Sequence, residues 1–454
     1  RMRGAKYLIQ CADDNADTAG RMKKLRAGEL DFAVATVDSF LINGAPEQYP
    51  GTIVAVLDQS KGGDAIVADK RKVKSIDELK NRAGLKIAFT PASPSEHLLK
   101  SVAVHFDIPT LRNRKGAWRV EAEGSSDALK KLERGEVDAA VLWEPDVSRA
   151  TSRSEVVKLL GTENTRRLIV DVLLVNRDFA AKDPQAVKLL LANYFRTLKA
   201  YQQAPATLTE DLVESARLST KQVEAMLRGV EWTSLAENAS RWYGLSLGAE
   251  TGDEGLVDTI ESTVQILIES GDFPSTPVPQ GDPYRLLNSA FIEDLMKSGG
   301  SEAFGDAGAS AKGAPSLARD FPALNERGWE ALKEVGTLKV LPITFQSGTA
   351  DLSLEGKGEL DKAAGHLQHY PGFRVVLKGH TRLNGDAGQN QILSRERAEA
   401  VRRYLTVAHG IDEDRLRALG LGPNKPLPRQ AGESDRAFNY RLPRVELYLV
   451  MESL

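Results

Sequence analysis

The sequence is poor in cysteine, with Cys11 the single example among 454 residues. One thiol excludes a disulfide within the chain and a zinc site built on cysteine pairs. Long apolar runs are also lacking. The longest, Leu168 to Val175, is interrupted by Asp171 and is far shorter than the ~20 residues that a membrane-spanning helix needs. The sequence therefore predicts neither a transmembrane segment nor a cysteine-based metal site.

Excess charge of one sign is absent as well. The formal net charge is only −3, so no strong overall field favours nucleic acid or anionic lipid. An arginine-rich stretch at 395–403 is diluted by glutamates. No phosphate-binding loop, hydrolase elbow or dinucleotide-binding glycine motif occurs. We therefore expect a protein that is not an enzyme, has no cofactor and has no nucleic-acid partner.

The hydrophobic pattern changes along the chain and predicts separate domains. Up to about 175, short apolar runs alternate with amphipathic stretches, which is typical of parallel α/β sheets. From about 184 to 297, apolar residues recur at helical spacing. Residues 298–315 are rich in Gly, Ser and Ala without an apolar period, which predicts a flexible linker and an independently tethered C-terminal part.

One polar loop of the N-terminal part carries hydroxyls at a predicted helix start. Ser93 and Ser95 follow the apolar run at 86–89, and ligands of open α/β sheets bind at such strand ends. Free backbone N–H groups and the positive helix end would favour an anion there. The alternative is that one serine simply caps the helix. The two interpretations are compatible, and both stay open.

Three collinear segments, 25–38, 77–88 and 135–145, resemble a type 2 periplasmic solute-binding protein. The group they resemble is that of ABC-transporter receptors for nitrate, sulfonates, taurine and thiamine precursors. The resemblance covers about 20–297 and implies two lobes that close on a small ligand about a hinge. Members of this family have a strand and a ligand-facing loop before the first segment recognised here, and the sequence has few residues there. Position by position, the resemblance implies ligand contacts from Thr36, Asp38, Asp58, Ser93, Ser95, Ser125, Ser126, Glu144 and Asp171.

The carboxylates among these residues indicate the charge of the ligand. Asp38, Asp58 and Glu144 would favour a solute with an amine and would repel a fully anionic one. An Asp in such a loop is also often only an Asx-turn residue. The expected partners are a small solute, anionic or amine-bearing, and an ABC permease.

A second resemblance lies near the end of the chain. Gly379-His380-Thr381, then Asn390 and Arg397, then Asn439 and Arg444, resemble the peptidoglycan-binding OmpA-like domain. The resemblance covers about 338–450. It implies that Thr381 and Asn390 hydrogen-bond the diaminopimelate carboxylate of a wall peptide. It also implies that Arg397 pairs with this carboxylate through its planar guanidinium, and that Asn439 and Arg444 support the site.

The chain departs from this pattern at Arg382. The family has an acidic residue there, which grips the ammonium group of the ligand, so the charge is reversed. An ammonium beside Arg382 would be repelled by ~1 kcal/mol or more at partly buried separations. Asp386 is the candidate to replace the missing carboxylate, if the loop folds back. Wall binding is then either weakened or directed at a different anionic group.

Three histidines invite a metal or catalytic interpretation. His366 and His369 are three residues apart on a predicted helix, but no third ligand is near in sequence, so a solvated helix face is preferred. His380 is expected to be a packed, hydrogen-bonded residue.

Together these patterns predict an α/β protein with a two-lobed periplasmic-binding-protein type 2 fold and a C-terminal OmpA-like βαβαβ domain. The receptor-like part spans 1–297 with its second lobe at about 66–172, the linker spans 298–335, and the OmpA-like domain spans 336–454. The expected function is that of a solute-binding protein of the periplasm or cell envelope, anchored to peptidoglycan. The alternative is an envelope protein of structural or interaction type, whose lobes bind another protein. Arg1 is followed by no leader pattern, so we expect either a removed signal segment or a start within a longer protein.

Overall fold

The computed structural model describes residues 7–12, 14, 17–245, 252–304, 321–346 and 348–452. The centre of the predicted linker, 305–320, lies outside the described residues. Within the described ranges the strands form three sheets, one for each of two N-terminal lobes and one for the C-terminal domain. We use "N-terminal domain" for residues 17–304 and "C-terminal domain" for residues 321–452.

The elements follow in chain order. The chain starts the first lobe with α1 (Thr18–Ala27), β1 (Phe32–Thr36), α2 (Val37–Gly44) and β2 (Gly51–Ser60). The second lobe contains β3 (Asp64–Asp69), α3 (Glu78–Asn81), β4 (Ile87–Phe89), α4 (Pro94–His105), α5 (Pro109–Arg112), β5 (Arg119–Glu121), α6 (Ser125–Glu133), β6 (Ala139–Trp143), α7 (Asp146–Thr151) and β7 (Val156–Gly161). The chain then returns with β8 (Val170–Asn176), α8 (Arg177–Lys182), α9 (Pro184–Gln203), α10 (Pro205–Ala216), α11 (Thr220–Arg228), β9 (Val230–Trp232), α12 (Leu235–Glu237), α13 (Gly255–Glu269) and α14 (Ala290–Phe304). The C-terminal domain contains α15 (Glu326–Glu330), β10 (Lys333–Thr337), α16 (Leu354–Gln368), β11 (Arg374–His380), α17 (Ala387–His409), β12 (Leu416–Gly422), α18 (Asp435–Arg441) and β13 (Arg444–Met451).

The first lobe is built on an antiparallel sheet, so the prediction of parallel sheets is wrong for it. Its strand order is β1-β8-β2-β9, and each neighbouring pair is antiparallel. The sequence pattern misleads because β2 and β8 are nearly continuous buried apolar runs, which are also typical of parallel strands. In the second lobe the order is β5-β4-β6-β3-β7, and the parallel prediction holds for β5, β4 and β6.

Two segments connect the lobes, and a hydroxyl network joins them. One segment runs from β2 to β3 and the other from β7 to β8. Thr162 Oγ1 lies 2.7 Å from Ser60 Oγ on the first segment and accepts from the Gly62 amide at 2.9 Å. We call this crossing the hinge, because both connections between the lobes pass through it.

The C-terminal domain has four strands in the order β10-β13-β11-β12, one more than the βαβαβ prediction. The sheet begins with β10 at Lys333, three residues before the predicted boundary of 336. The strand β12, which pairs parallel with β11, was missed because its end is the sequence Gly420-Leu421-Gly422, which is typical of a loop. Glycine is required there, since a Cβ at Gly420 would lie 2.7 Å from the Arg395 amide nitrogen.

A second close approach, of β11 to α17, gives a stability prediction. A Cβ at Gly379 would lie 2.1 Å from the Ser394 carbonyl oxygen, so Gly379→Ala forces the helix backbone away from the sheet. We expect a loss of about 2–3 kcal/mol in the unfolding free energy of the C-terminal domain, measured by thermal or denaturant unfolding. The matched control is Gly358→Ala on α16, where a Cβ meets open space; it should be neutral or stabilise by up to about 1 kcal/mol. Equal effects of the two substitutions would contradict the close approach.

The C-terminal domain packs against the N-terminal domain, contrary to the expectation of an independent tethered unit. Buried residues from both, among them Phe106 and Tyr370, belong to one apolar cluster. His366 and His369 lie at this contact, where both pack against the ring of His105. The predicted solvated face is therefore wrong, because the end of α16 is covered by the N-terminal domain.

Candidate functional site

The first candidate site begins at the start of α2. Thr36 is in extended conformation just before the helix, and its hydroxyl donates to Ser39 Oγ at 2.9 Å. Ser39 Oγ in turn donates to Asp38 Oδ2 at 3.4 Å. Asp38 is 1% exposed, and its Oδ1 has no hydrogen-bond partner within the described residues. Burial raises the pKa of Asp38 to about 6.

Two further predicted carboxyl groups meet across the first sheet. Asp58 on β2 is the direct antiparallel partner of Asp171 on β8, and the two side chains share a hydrogen bond. Burial is the largest cause that raises the pKa of each. The neighbouring negative charge raises the pKa of Asp58 further, so at neutral pH this pair holds a proton that an isolated pair would have released.

Asp64, at the start of β3, completes a group that the sequence analysis missed. Ser60 Oγ donates to Asp64 Oδ2 at 2.7 Å. Burial raises the pKa of Asp64 to about 7, and the charges of Asp171, Asp38 and Glu144 add to this shift. We call Asp38, Asp58, Asp64 and Asp171 the acidic cluster.

The acidic cluster has little compensating charge. Lys100 is the cation that lowers the pKa of Asp38, but its Nζ is already paired with Asp272 at 3.0 Å and Glu96 at 3.6 Å. Arg21, which acts on Asp171, is paired with Asp14 at 2.6 Å. The cluster therefore keeps a negative excess, which a positively charged ligand would relieve.

The α4 N-terminus, considered above for an anion, is occupied by the protein itself. Ser93 is the helix cap: its hydroxyl accepts from the Ser95 amide at 3.2 Å and donates to Thr90 O at 2.7 Å. Glu96 Oε2 accepts from the Ala92 amide at 2.7 Å, which places a carboxylate where an anionic ligand would bind. Ser95 Oγ is fully buried without a partner among the described residues. This arrangement disfavours an anion.

The remaining predicted contacts of the second lobe serve the fold. Ser125 Oγ bonds both backbone groups of Trp143, at 3.2 and 3.1 Å. Ser126 Oγ donates to Asp146 Oδ2 at 2.8 Å. Glu144 accepts from the amide and the hydroxyl of Ser148 at 3.1 and 2.8 Å. Of these side chains, only Glu144 adds charge to the acidic cluster.

The lobes touch each other next to this cluster. Asn43 Nδ2 on α2 and Thr18 Oγ1 on α1 each donate to Ala92 O of the second lobe at 3.3 Å. Asp38 thus lies on the lobe surface that faces the loop of Ser93 and Ser95. The structure brings these three predicted residues to the boundary between the two lobes, with Asp58 and Asp171 on the strands behind it.

The second candidate site is centred on Arg397 of α17. Its Nε donates to Thr349 O at 3.1 Å, and its guanidinium lies 4.9 Å from the Phe345 ring centroid. Within the described part of the chain this is its only hydrogen bond, so both terminal nitrogens are left for a ligand. Burial, followed by the charge of Arg382, lowers the pKa of Arg397. Phe345 and Thr349 were not predicted, because they lie far from Arg397 in sequence.

The loop between β11 and α17 carries the other predicted groups. Thr381 is 4% exposed, and its hydroxyl donates to Arg382 O at 3.3 Å. Asn390 Nδ2 donates to Asn384 O at 3.1 Å, which folds the loop over the helix start. Asp386 is the cap of α17 and accepts from the Gln389 amide at 2.8 Å. Its carboxylate is thus engaged with the helix, which argues against its use in place of the missing acid.

Asn439 and Arg444 have supporting contacts. Arg444 donates from Nε to Glu446 Oε1 at 2.6 Å and from its terminal nitrogens to Leu442 O and Lys425 O. Glu446 also lies 3.1 Å from His380 Nε2, so His380 is the packed, hydrogen-bonded residue that was expected. Asn439 donates to Asp435 O at 2.9 Å, and its Oδ1 is buried with no partner among the described residues.

Comparison with known families gives the same two parts. Residues 13–207 match the NMT1/THI5-like family model, and residues 344–440 match the OmpA family model. The chain is thus similar to the NMT1/THI5-like family over its first match and to the OmpA family over its second. The two-lobed periplasmic-binding-protein fold and the C-terminal OmpA-like domain, both predicted, are thereby confirmed.

The curated relatives match only part of the chain. Outer membrane porin F of Pseudomonas aeruginosa is 29% identical over 126 residues, which are 27% of this chain and 36% of that protein. Peptidoglycan-binding protein ArfA of Mycobacterium tuberculosis is 36% identical over 101 residues, 22% of this chain and 31% of that protein. The chain thus spans only about a third of the length of these relatives. The periplasmic aliphatic sulphonate binding protein SsuA of Escherichia coli has 17% identity and a TM-score of 0.45, over 59% of this chain and 85% of that chain.

The NMT1/THI5-like match covers the acidic cluster, and the OmpA match covers Arg397 but ends before Arg444. Over the residues that the structure describes, no group of three or more His, Cys, Asp or Glu is arranged to hold a metal ion. No described helix is both long and apolar enough to span a bilayer.

Proposed function

We propose that this chain is a receptor-like protein of the cell envelope, held at peptidoglycan by its OmpA domain. The observation that carries the proposal is the guanidinium of Arg397, which is fixed against Phe345 and Thr349 with its two terminal nitrogens free. A planar, preorganised guanidinium binds a carboxylate through two parallel hydrogen bonds. The acidic end of a wall peptide, such as diaminopimelate, supplies such a carboxylate.

We further propose that the N-terminal cleft takes a solute with a cationic amine. The negative excess of the acidic cluster, and the carboxylate of Glu96 at the α4 N-terminus, both disfavour a sulfonate or nitrate. An ammonium group would donate to the unpartnered Asp38 Oδ1 and would let the cluster lose its extra protons.

A wall-held receptor would act in the periplasm beside a membrane permease. Tethering keeps the receptor near that partner and raises its effective concentration without any new contact. In this proposal the permease receives the solute from the cleft, while the OmpA domain limits diffusion of the receptor.

The ligand class gives a direct prediction for thermal unfolding. At pH 7.5, diamines, quaternary amines and aminopyrimidines should include a compound that raises the melting temperature, whereas alkanesulfonates and sulfate should not. A ligand at 100 times its Kd stabilises the folded state by about 2.7 kcal/mol through mass action. Differential scanning fluorimetry across the panel, followed by calorimetry, measures this effect.

Two aspartate variants test whether the ligand-induced shift depends on the acidic cluster. Asp38→Asn should lose the ligand-induced shift, whereas Asp178→Asn, at an exposed position on α8, should keep it. A shift with sulfonates alone would overturn the amine assignment. If no compound gives a shift, the alternative is favoured, in which the lobes bind a protein and the closed contact through Ala92 is permanent.

A further inference from the structure

The contact between the two domains is a built interface. Phe106 and Tyr370 pack edge to face with ring centroids 5.4 Å apart. A Cβ at Gly336 would lie 2.8 Å from the Phe106 ring, so β10 approaches the second lobe as closely as a glycine permits. Ile76, Val335 and Phe106 are each at most 2% exposed. Burial of this apolar surface holds the domains together.

Backbone hydrogen bonds fix the relative position of the domains. The Ile76 amide donates to Val335 O at 3.0 Å, and the Lys339 amide donates to His105 O at 2.7 Å. At the hinge, the Arg166 amide donates to His369 O at 3.0 Å. The C-terminal domain thus contacts both the second lobe and a segment that crosses between the lobes.

Three histidines meet in the centre of this interface. The His105 ring lies 5.1 Å from the rings of both His366 and His369, and it stacks on the latter with an interplanar angle of 15°. His105 Nδ1 bonds the Tyr370 hydroxyl at 2.8 Å. We call His105, His366 and His369 the histidine cluster. Its members come from both domains, so the cluster exists only while the domains are docked.

The charges around the histidine cluster oppose its protonation. Lys339 acts on His105 and His366, and Arg166 acts on His369. His97, buried behind the cluster, adds a further imidazole that acts on His105 and His369. Within the described residues, Glu269 on α13 is the carboxylate that favours the charged form of His366, and it is paired with Lys339 at 3.5 Å.

We propose that this interface is a pH-operated latch, which holds the OmpA domain on the receptor-like domain at neutral pH and releases it on acidification. Positive charge on two or more of the stacked imidazoles, beside Lys339 and Arg166, is incompatible with the buried contact. Release would free the hinge from the contact with His369 and let the wall-bound domain separate from the lobes. The inference does not depend on the proposed ligand or on wall binding.

The direction of the effect follows from proton uptake. An exposed histidine has an ordinary pKa near 6.5. Burial holds the pKa of His369 at about 4 in the docked state. The docked state therefore binds fewer protons, and its stability is complete above pH ~6.5 and is lost as the pH falls below it. For His369 alone, docking should weaken roughly 30-fold between about pH 7.5 and pH 5. Burial also lowers the pKa of His105 and His366, which act in the same direction.

The test is small-angle X-ray scattering of the full chain over this pH range, with circular dichroism at each point. The radius of gyration should increase as the pH falls from about 7.5 to 5, while the secondary structure is retained. The double variant His366→Gln/His369→Gln should lose most of this pH response. The control is the variant His409→Gln. His409 lies on the C-terminal domain and contacts Asp361 at an exposed position, away from the histidine cluster. This variant should expand as the wild type does.

Two results would overturn the latch. One is a radius of gyration that is the same at both ends of the pH range in a chain that stays folded. The other is an expansion of the double variant at the same pH and to the same extent as the wild type, because the response would then come from other groups. Hydrogen exchange at the Ile76 and Lys339 amides gives a second readout, since both should lose protection on release.

Discussion

Arg397→Ala should abolish retention of the full chain on purified peptidoglycan. The side chain loses the guanidinium that is held by Thr349 O and the Phe345 ring, and with it the proposed paired contact to the wall carboxylate. Loss of a bidentate pair with a carboxylate in a partly buried site should weaken binding by about 100-fold. Arg397→Lys should recover only part of the affinity, because an ammonium cannot make two parallel bonds. Co-sedimentation with cell-wall sacculi measures both variants.

Two variants test whether this effect belongs to the site. Arg395→Ala removes an exposed arginine of the same helix and should leave retention unchanged. Arg382→Glu restores the acidic residue of the family pattern and removes a charge that opposes Arg397, so it should strengthen retention several-fold. Unchanged binding of Arg397→Ala, or an equal loss with Arg395→Ala, would reject Arg397 as the wall contact.

Asp58→Asn should stabilise the N-terminal domain increasingly as the pH rises. In the wild type, burial and Asp171 raise the pKa of Asp58, so the folded state binds more protons than the unfolded state. The resulting penalty is absent below the unfolded pKa of about 4 and grows as the pH rises through the folded value. An amide in the same place cannot ionise and avoids the penalty. The gain should be on the order of 2 kcal/mol at pH 8 and near zero at pH 4.

Denaturant unfolding at several pH values, followed by tryptophan fluorescence, measures this difference. Asp178→Asn, at an exposed position on α8, is the control and should give no comparable gain. The same Asp58→Asn protein should bind a cationic solute less tightly, because the substitution that stabilises the fold also removes a negative charge from the acidic cluster. A gain for Asp58→Asn that is constant with pH would show that the pair holds no extra proton.

The sequence groups the residues of the proposed wall site better than those of the acidic cluster. Thr381, Asn390 and Arg397 lie within one loop and the following helix, so local spacing places them together, whereas the cradle of Phe345 and Thr349 depends on tertiary folding. In the cleft, Asp38 and Asp58 were predicted, but Asp64 was missed because its burial results from the crossing of two distant segments. Ser125 was assigned to the ligand, although its hydroxyl bonds Trp143.

The fold, like the acidic cluster, is only partly predicted by the sequence. Apolar runs locate most strands, but burial on both faces hides the strand direction, as in β2 and β8. The domain interface has no sequence signal at all, because His105 and His369 are separated by the linker and by the whole helical segment. Their contact depends on the shapes of the two domain surfaces. The hydrophobic periodicity of a single segment cannot predict it.

The central claim is that one chain holds a receptor-like domain at the wall through a carboxylate-binding guanidinium. The most direct measurement is sedimentation of the full chain with purified peptidoglycan at pH 7.5, with free diaminopimelate added as competitor. We expect the chain to sediment with the wall and the competitor to release it. A chain that stays in the supernatant, or one whose retention is indifferent to the competitor, would contradict the account.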